Sequence, residues 1–170
     1  MLIYLDANIV QYCADYEDFL FSDQTDCPVG EPKFRIELYA LRQLIHLEQF
    51  GNWTFAVSEE LLSELHRGRP TLPQRAVYKL LQESCWPYEE PDASGVHNVT
   101  EALQALQLKD ELDLRHLANA VTLGASWFIT NDNDILRKTG GWVRPTRVAR
   151  PSECVAEITV GLFLATSSPG

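Results

Sequence analysis

Residues 110–134 read DELDLRHLANAVTLGASWFITNDND, and the reading of this stretch decides the fold. Asp110 suits the cap of a helix, and Leu112, His116 or Leu117, Ala120 and Val121 recur at the spacing of a core-facing helical stripe. Gly124 closes that helix. Ser126 to Thr130 is short, aromatic and apolar, without polar alternation, as in a strand buried on both faces. Asn131-Asp132-Asn133-Asp134 is a polar turn. A helix feeding a fully apolar strand is one unit of an α/β alternation, which implies a parallel sheet covered by helices.

The same alternation extends outward. Leu2 to Leu5 predicts a buried strand ending in Asp6, and residues 8–21 a weakly patterned helix. Residues 22–32 carry Ser, Asp, Gly and two prolines, hence a loop. Phe34 to Phe50 predicts a helix capped by Gly51, and Trp53 to Val57 a second strand. Ser58 caps a helix with Leu61, Leu62 and Leu65 inward, ended by Gly68 and Pro70. Pro73 opens a helix through Ser84. Trp86 to Val96 reads as a loop with room for a short strand, and Thr100 as the cap of a short helix. After the turn at 131–134, Thr146 to Ala149 predicts a last strand and Pro151 the start of a short helix. Val160 to Ala165 reads as a packed terminal strand or as a docking surface. The expectation is one domain over 1–170, a three-layer α/β/α sandwich around a central, mostly parallel sheet.

Composition narrows the function. Apolar residues make up 45%, too many for a disordered chain. No run reaches the ~18 apolar residues of a membrane span, and the amino terminus lacks the basic flank of a signal peptide. A cytoplasmic protein with no membrane partner is expected. Cys13, Cys27, Cys85 and Cys154 form no CxxC, so buried free thiols are expected rather than disulfides or structural zinc. Against 24 acids stand 14 Lys and Arg, a net charge of −10 that argues against a broad electrostatic grip on nucleic acid. It does not exclude a metal-dependent nuclease, whose ions offset part of the acid. Arg137, Lys138, Arg144, Arg147 and Arg150 crowd one late segment, either to meet phosphate or as a solvated rim.

Ligands of open α/β sheets sit beyond the carboxyl ends of the strands. Asp6 follows the first strand there, and Asp132 the third. Glu64 lies on the helix after the second strand, and Asp113 in the first turn of the helix that feeds the third. Four converging carboxylates repel one another unless a cation is shared, and hard oxygen donors select Mg²⁺ or Mn²⁺. Each acid also has a plainer role: strand end or cap for Asp6, exposed helix residue for Glu64, capping-box partner of Asp110 for Asp113, turn residue for Asp132.

Four motifs carry a family resemblance. Leu5-Asp6-Ala7-Asn8 is similar to the opening LDTN of PIN domains, and Ser63-Glu64-Leu65-His66-Arg67-Gly68 to their second acidic motif. Asp113-Leu114-Arg115-His116-Leu117-Ala118-Asn119-Ala120 resembles the D-A-x-H-L-A-x-A helix. Phe128-Ile129-Thr130-Asn131-Asp132 resembles the closing strand end. The motifs fall in the family's order, nearest the group with VapC-type toxins. The resemblance implies a Mg²⁺- or Mn²⁺-dependent endoribonuclease acting on an RNA substrate, with Asp6, Glu64, Asp113 and Asp132 as acidic set. It implies Asn8 supporting Asp6, Thr130 positioning the last acid or the attacking water, and an antitoxin partner; a homodimer is expected only from the apolar Val160 to Ala165 surface. Arg137 and Lys138 are the candidate substrate contacts. Ala7 departs from the usual Thr or Ser, and Asp134 competes with Asp132 for the fourth position.

The competing readings are an inactive PIN-fold module binding RNA or protein, and a small-molecule phosphatase of similar topology. The phosphatase reading is weakened because Asn8 cannot serve as acid or base. His116 reads as a packing histidine. Trp53 and Trp127 are assigned to the core, whereas Trp86 and Trp142 are free to stack on bases.

Overall fold

The computed structural model describes residues 1–48, 53–85 and 92–166, the last six by backbone alone. Strand β1 (Leu2–Leu5) leads into helix α1 (Ala7–Asp15), α2 (Glu17–Phe21) and α3 (Pro32–Leu47). Then come β2 (Thr54–Ala56), α4 (Glu59–Arg67), α5 (Leu72–Ser84) and α6 (Ala93–Leu103). Helix α7 (Glu111–Thr122), β3 (Trp127–Ile129), α8 (Asn133–Thr139), β4 (Trp142–Val143), β5 (Thr146–Ala149) and α9 (Pro151–Thr166) complete the chain.

The sheet runs β2-β1-β3-β5-β4, parallel except for the edge strand β4. Ile3, Tyr4 and Leu5, like Trp127, Phe128 and Ile129, are all buried, so the central strands are covered on both faces. This is the sandwich that the alternation predicts. Tyr4 stacks on Phe128 at 5.7 Å, and its hydroxyl donates to Ser58 Oγ at 2.8 Å. Ser58 Oγ in turn accepts from Leu61 N and caps α4. One tyrosine thereby joins two strands to the start of a helix; burying such a side chain contributes roughly 1.5–3 kcal/mol. Trp53 and Trp127 are core residues as expected. All four cysteines are free, Cys13, Cys85 and Cys154 being buried.

Three expectations are corrected, and one strand was not foreseen. Residues 93–96 are helix, because Asp92 accepts from Gly95 N and starts α6 earlier; Thr100 lies inside it and donates to Val96 O. The polar turn at 131–134 opens a helix, α8, since Asp132 accepts from Asp134 N and Ile135 N. Val143 pairs with Thr146 in a two-residue edge strand too short for any periodicity. The carboxyl-terminal apolar segment continues α9, which packs along α3, rather than forming a strand. Gly51, Trp86 and most of the expected 86–96 loop lie outside the described residues, as do the side chains of the expected docking segment beyond Val160. Among the described residues no helix is long and apolar enough to cross a membrane.

Candidate active site

The order β2-β1-β3 places the topological switch between β1 and β3, the crevice where α/β sheets take ligands. Leu5 pairs with Ile129, so the residues just beyond, Asp6 and Thr130, leave the sheet side by side. Asp6 is 1% exposed and caps α1. Its Oδ1 accepts from Ala7 N at 2.8 Å; its Oδ2 accepts from Asn8 Nδ2 and from Thr130 Oγ1 at 2.6 Å. Thr130 Oγ1, fully buried, also accepts from Asp132 N at 2.9 Å and from Asn8 Nδ2 at 3.0 Å. Asn8 Oδ1 accepts from Asn131 N at 3.1 Å. Asn8 and Thr130 thus lock the Asp6 carboxylate to the chain that carries Asp132.

Asp113 enters from the first turn of α7. Asp110 caps that helix by accepting from Leu112 N, and among the described residues Asp113 makes no return bond, so no capping box forms. Asp113 has no hydrogen-bond or ion-pair partner among them. Burial, then the charges of Asp6 and Asp132, push its carboxyl up to about 7. Asp6 is likewise raised, first by burial and against its hydrogen bonds, with Asp132 adding repulsion. The structure therefore gathers Asp6, Asp113 and Asp132 into one negative region.

The other candidates fall elsewhere. Glu64 Oε2 is 2.7 Å from His116 Nε2 and joins the acids only through that ring. His116 is 1% exposed, and its electrostatic effect on both Asp6 and Asp113 favours their ionised forms. The reading of His116 as mere packing missed this; its position one helical turn beyond Asp113 was the available signal. Glu60, also missed, pairs with Arg115 at 2.7 Å and accepts from the buried Asn119. Asp134 is held by Lys138 at 2.9 Å and Arg137 at 2.6 Å, which lower its pKa, and it does not act on Asp6 or Asp113. The two aspartates of the turn differ in their surroundings: Asp132 acts electrostatically on Asp6 and Asp113, whereas Asp134 is held by Lys138 and Arg137. Arg137 and Lys138 are correspondingly committed to Asp134, and Lys138 also donates to Gln107 O. Trp142, 51% exposed, lies under Arg147 at 4.9 Å, beside Gly124 and Ser126 at the amino end of β3, away from the acids.

Asp6, Asp113 and Asp132 offer hard oxygen donors, the chemical type that Mg²⁺ and Mn²⁺ prefer. The set is all carboxylate, carries net repulsion, and has no Lys or Arg paired to it among the described residues. Among those residues no three metal-ligating side chains close around a single point, so the acids share electrostatic reach rather than coordination contact.

No protein-family model and no curated protein sequence matches this chain. Among solved structures, a chain of the VapBC2 complex from Rickettsia felis, bound to a DNA fragment from its promoter, superposes with a TM-score of 0.56. The match covers 87% of this chain and 97% of that chain at 16% identity. At that identity the likeness establishes a shared fold.

Proposed function

We propose that this chain is a metal-dependent endoribonuclease that hydrolyses RNA phosphodiester bonds. The observation that carries the reading is the cluster of Asp6, Asp113 and Asp132 by the carboxyl edge of a parallel sheet, with no Lys or Arg paired to it among the described residues. Carboxylates held together against their own repulsion need a reason, and a divalent cation supplies one.

Asp6, Asp113 and Asp132 would hold Mg²⁺ or Mn²⁺. When bound, such an ion neutralises charge on a phosphoryl group and activates water. Asp6 is the fixed member, since three donors set both its oxygens. Thr130 Oγ1 ties Asp6 to the backbone of Asp132, so the two cannot drift apart without breaking a buried bond. Asp132 spends Oδ1 on capping α8. Glu64 orients His116, whose ring moderates the repulsion at Asp6 and Asp113.

The four motifs resembling VapC-type toxins, and the fold shared with a chain of the VapBC2 complex, support a toxin role with an antitoxin as partner. The test is cleavage of labelled single-stranded RNA in Mn²⁺ or Mg²⁺. Wild-type cleavage that stops with chelator and is abolished by Asp6→Asn is expected. Undiminished cleavage by that variant would overturn the mechanism. The inactive-module reading has one observation in its favour, the engagement of Glu64 by His116. It predicts RNA or partner binding with no Mn²⁺ binding by calorimetry.

A further inference from the structure

A groove of 560 Å³ opens next to the acid cluster, within the usual size range of small-ligand sites, ~300–1,000 Å³. Asn131 and Asn133, the neighbours of Asp132 on either side, form one wall, and Tyr12 and Phe34 form another. Resting on the nuclease reading above, we infer that this groove seats the nucleotide flanking the scissile phosphate, its base against Tyr12 and Phe34 and its phosphate against Lys33 and Arg150.

Three features argue for it. The first is charge. Lys33 and Arg150 line the groove, and neither is paired to a carboxylate among the described residues; Arg150 Nη2 donates instead to Asn133 Oδ1 at 2.6 Å. The two lining acids are both occupied. Glu31 accepts from Lys33 N and Phe34 N as the cap of α3, and Glu37 accepts from Ser152 N and Ser152 Oγ. A chain of net charge −10 thus lines this groove with two cations against two acids, neither cation in an ion pair among the described residues.

The second feature is the aromatic wall. Tyr12 and Phe34 meet edge to face at 4.8 Å, and Tyr16 braces Phe34 at 5.6 Å, so the rings are fixed before any ligand arrives. Fixed aromatic faces bind bases of any sequence by stacking. The third is continuity with the acids. Asn131 N is held by Asn8, the residue that also holds Asp6, and Asp6 acts electrostatically on Tyr12. The Asn131 side chain reaches the Tyr12 hydroxyl, while its Oδ1 is buried with no hydrogen-bond partner among the described residues, an acceptor placed at the groove wall. A strand lying over the acids has its next nucleotide at this groove.

The test measures both turnover and binding with a fluorescein-labelled single-stranded RNA. Phe34→Leu, Lys33→Ala and Arg150→Ala are expected to raise KM about three- to tenfold with kcat within about twofold, given the contributions of stacking and of single phosphate contacts. RNA affinity of the same changes placed in the Asp6→Asn background should fall in parallel. Lys79→Ala, in an exposed pair on α5, is the surface control and should match wild type. Melting temperatures identify any variant that misfolds, and Lys33, exposed on the first turn of α3, keeps the test valid if Phe34→Leu does. Wild-type cleavage with all three variants at wild-type KM would overturn the groove and leave the nuclease standing. RNA binding weakened by the variants without any cleavage would keep the groove and remove the nuclease. Neither binding nor cleavage would overturn both.

Discussion

The ends of β1 and β3 and the facing surfaces of α4 and α7 both collect acids, but they treat them differently. Between the two helices each acid has a partner: Glu60 has Arg115 at 2.7 Å, and Glu64 has His116 at 2.7 Å. By the strand ends, where Asp113 enters from the first turn of α7, Asp6 and Asp132 have hydrogen bonds, Asp113 has none, and no Lys or Arg is paired to any of the three among the described residues. The first region uses charge to dock one helix on another. The second keeps its acids without a Lys or Arg partner, at a cost in stability that the proposed cation would offset. The contrast locates function more sharply than the count of acids does.

Removing a charge at the strand ends gives the largest effect. Asp6→Asn is expected to lower RNA cleavage by on the order of 1,000-fold, the scale seen when one preorganised electrostatic contact to a reaction is lost. The same variant should melt within a few degrees of wild type at pH 8 without metal, because relief of a buried, raised carboxylate offsets the loss of the oxygen that accepts from Asn8 and Thr130. A large fall in melting temperature would instead assign Asp6 to structure. Thr130→Val, which keeps the shape and deletes the hydroxyl between Asp6 and Asp132 N, should cost about 10–100-fold in cleavage or Mn²⁺ affinity. Equal loss in folding and in activity would mean that the hydroxyl serves the fold alone.

Between the helices the ranking of effects should reverse. His116→Ala removes a buried ring and the partner of Glu64, and about 2 kcal/mol of stability is expected to go with it in denaturant unfolding. His116→Gln, able to donate to Glu64 from a similar position, should restore part of that stability. If His116→Ala left stability intact and removed only metal binding, the two regions would be one site.

How much of this was legible in the sequence follows from range. β1, β3, β5 and α7 announce themselves because burial on both faces, or on one stripe, leaves an unbroken periodic trace. Asp6, Asp113 and Asp132 were readable because each stands at a fixed offset from such an element. The His116–Glu64 contact was not, since it depends on how α4 packs on α7, and no local pattern encodes an interhelical distance. Helix α8 was missed because seven residues hold too few apolar positions to show a period, and Asn131–Asp134 signals turn and cap alike. The groove was invisible for the same reason as the ion pair: Phe34, Asn133 and Arg150 meet only after the sheet has formed.

The metal-free protein should lose stability as pH rises. The carboxyl of Asp113 is raised from 3.8 to about 7 by burial and by Asp6 and Asp132, so between those values the folded chain binds more protons than the unfolded one. Stability therefore falls from about pH 4 to about pH 7 and levels off above, by about 1–2 kcal/mol once the half-exposed position of Asp113 is allowed for. Asp113→Asn should flatten the profile, and Mn²⁺ at pH 8 should raise the melting temperature of wild type but not of that variant. A profile in wild type as flat as in Asp113→Asn would remove the claim that the strand-end charges repel.

The smallest effect distinguishes two aspartates in one turn. Asp132 and Asp134 are both near the carboxyl end of β3, and the sequence leaves either as the last acid. Asp134 is held by Lys138 and Arg137, two positive charges against its one negative charge. Asp134→Asn is therefore expected to leave cleavage at the wild-type value and to lower the melting temperature by no more than a few degrees, because its ion pairs with Arg137 and Lys138 lie at the rim. Asp132→Asn should abolish cleavage while keeping the α8 cap, since asparagine accepts the same backbone bonds through its remaining oxygen. If the two phenotypes came out exchanged, the cations now bound to Asp134 would have to release it in the working enzyme. The uncompensated region would then extend one turn into α8 and take in the bases that line its rim.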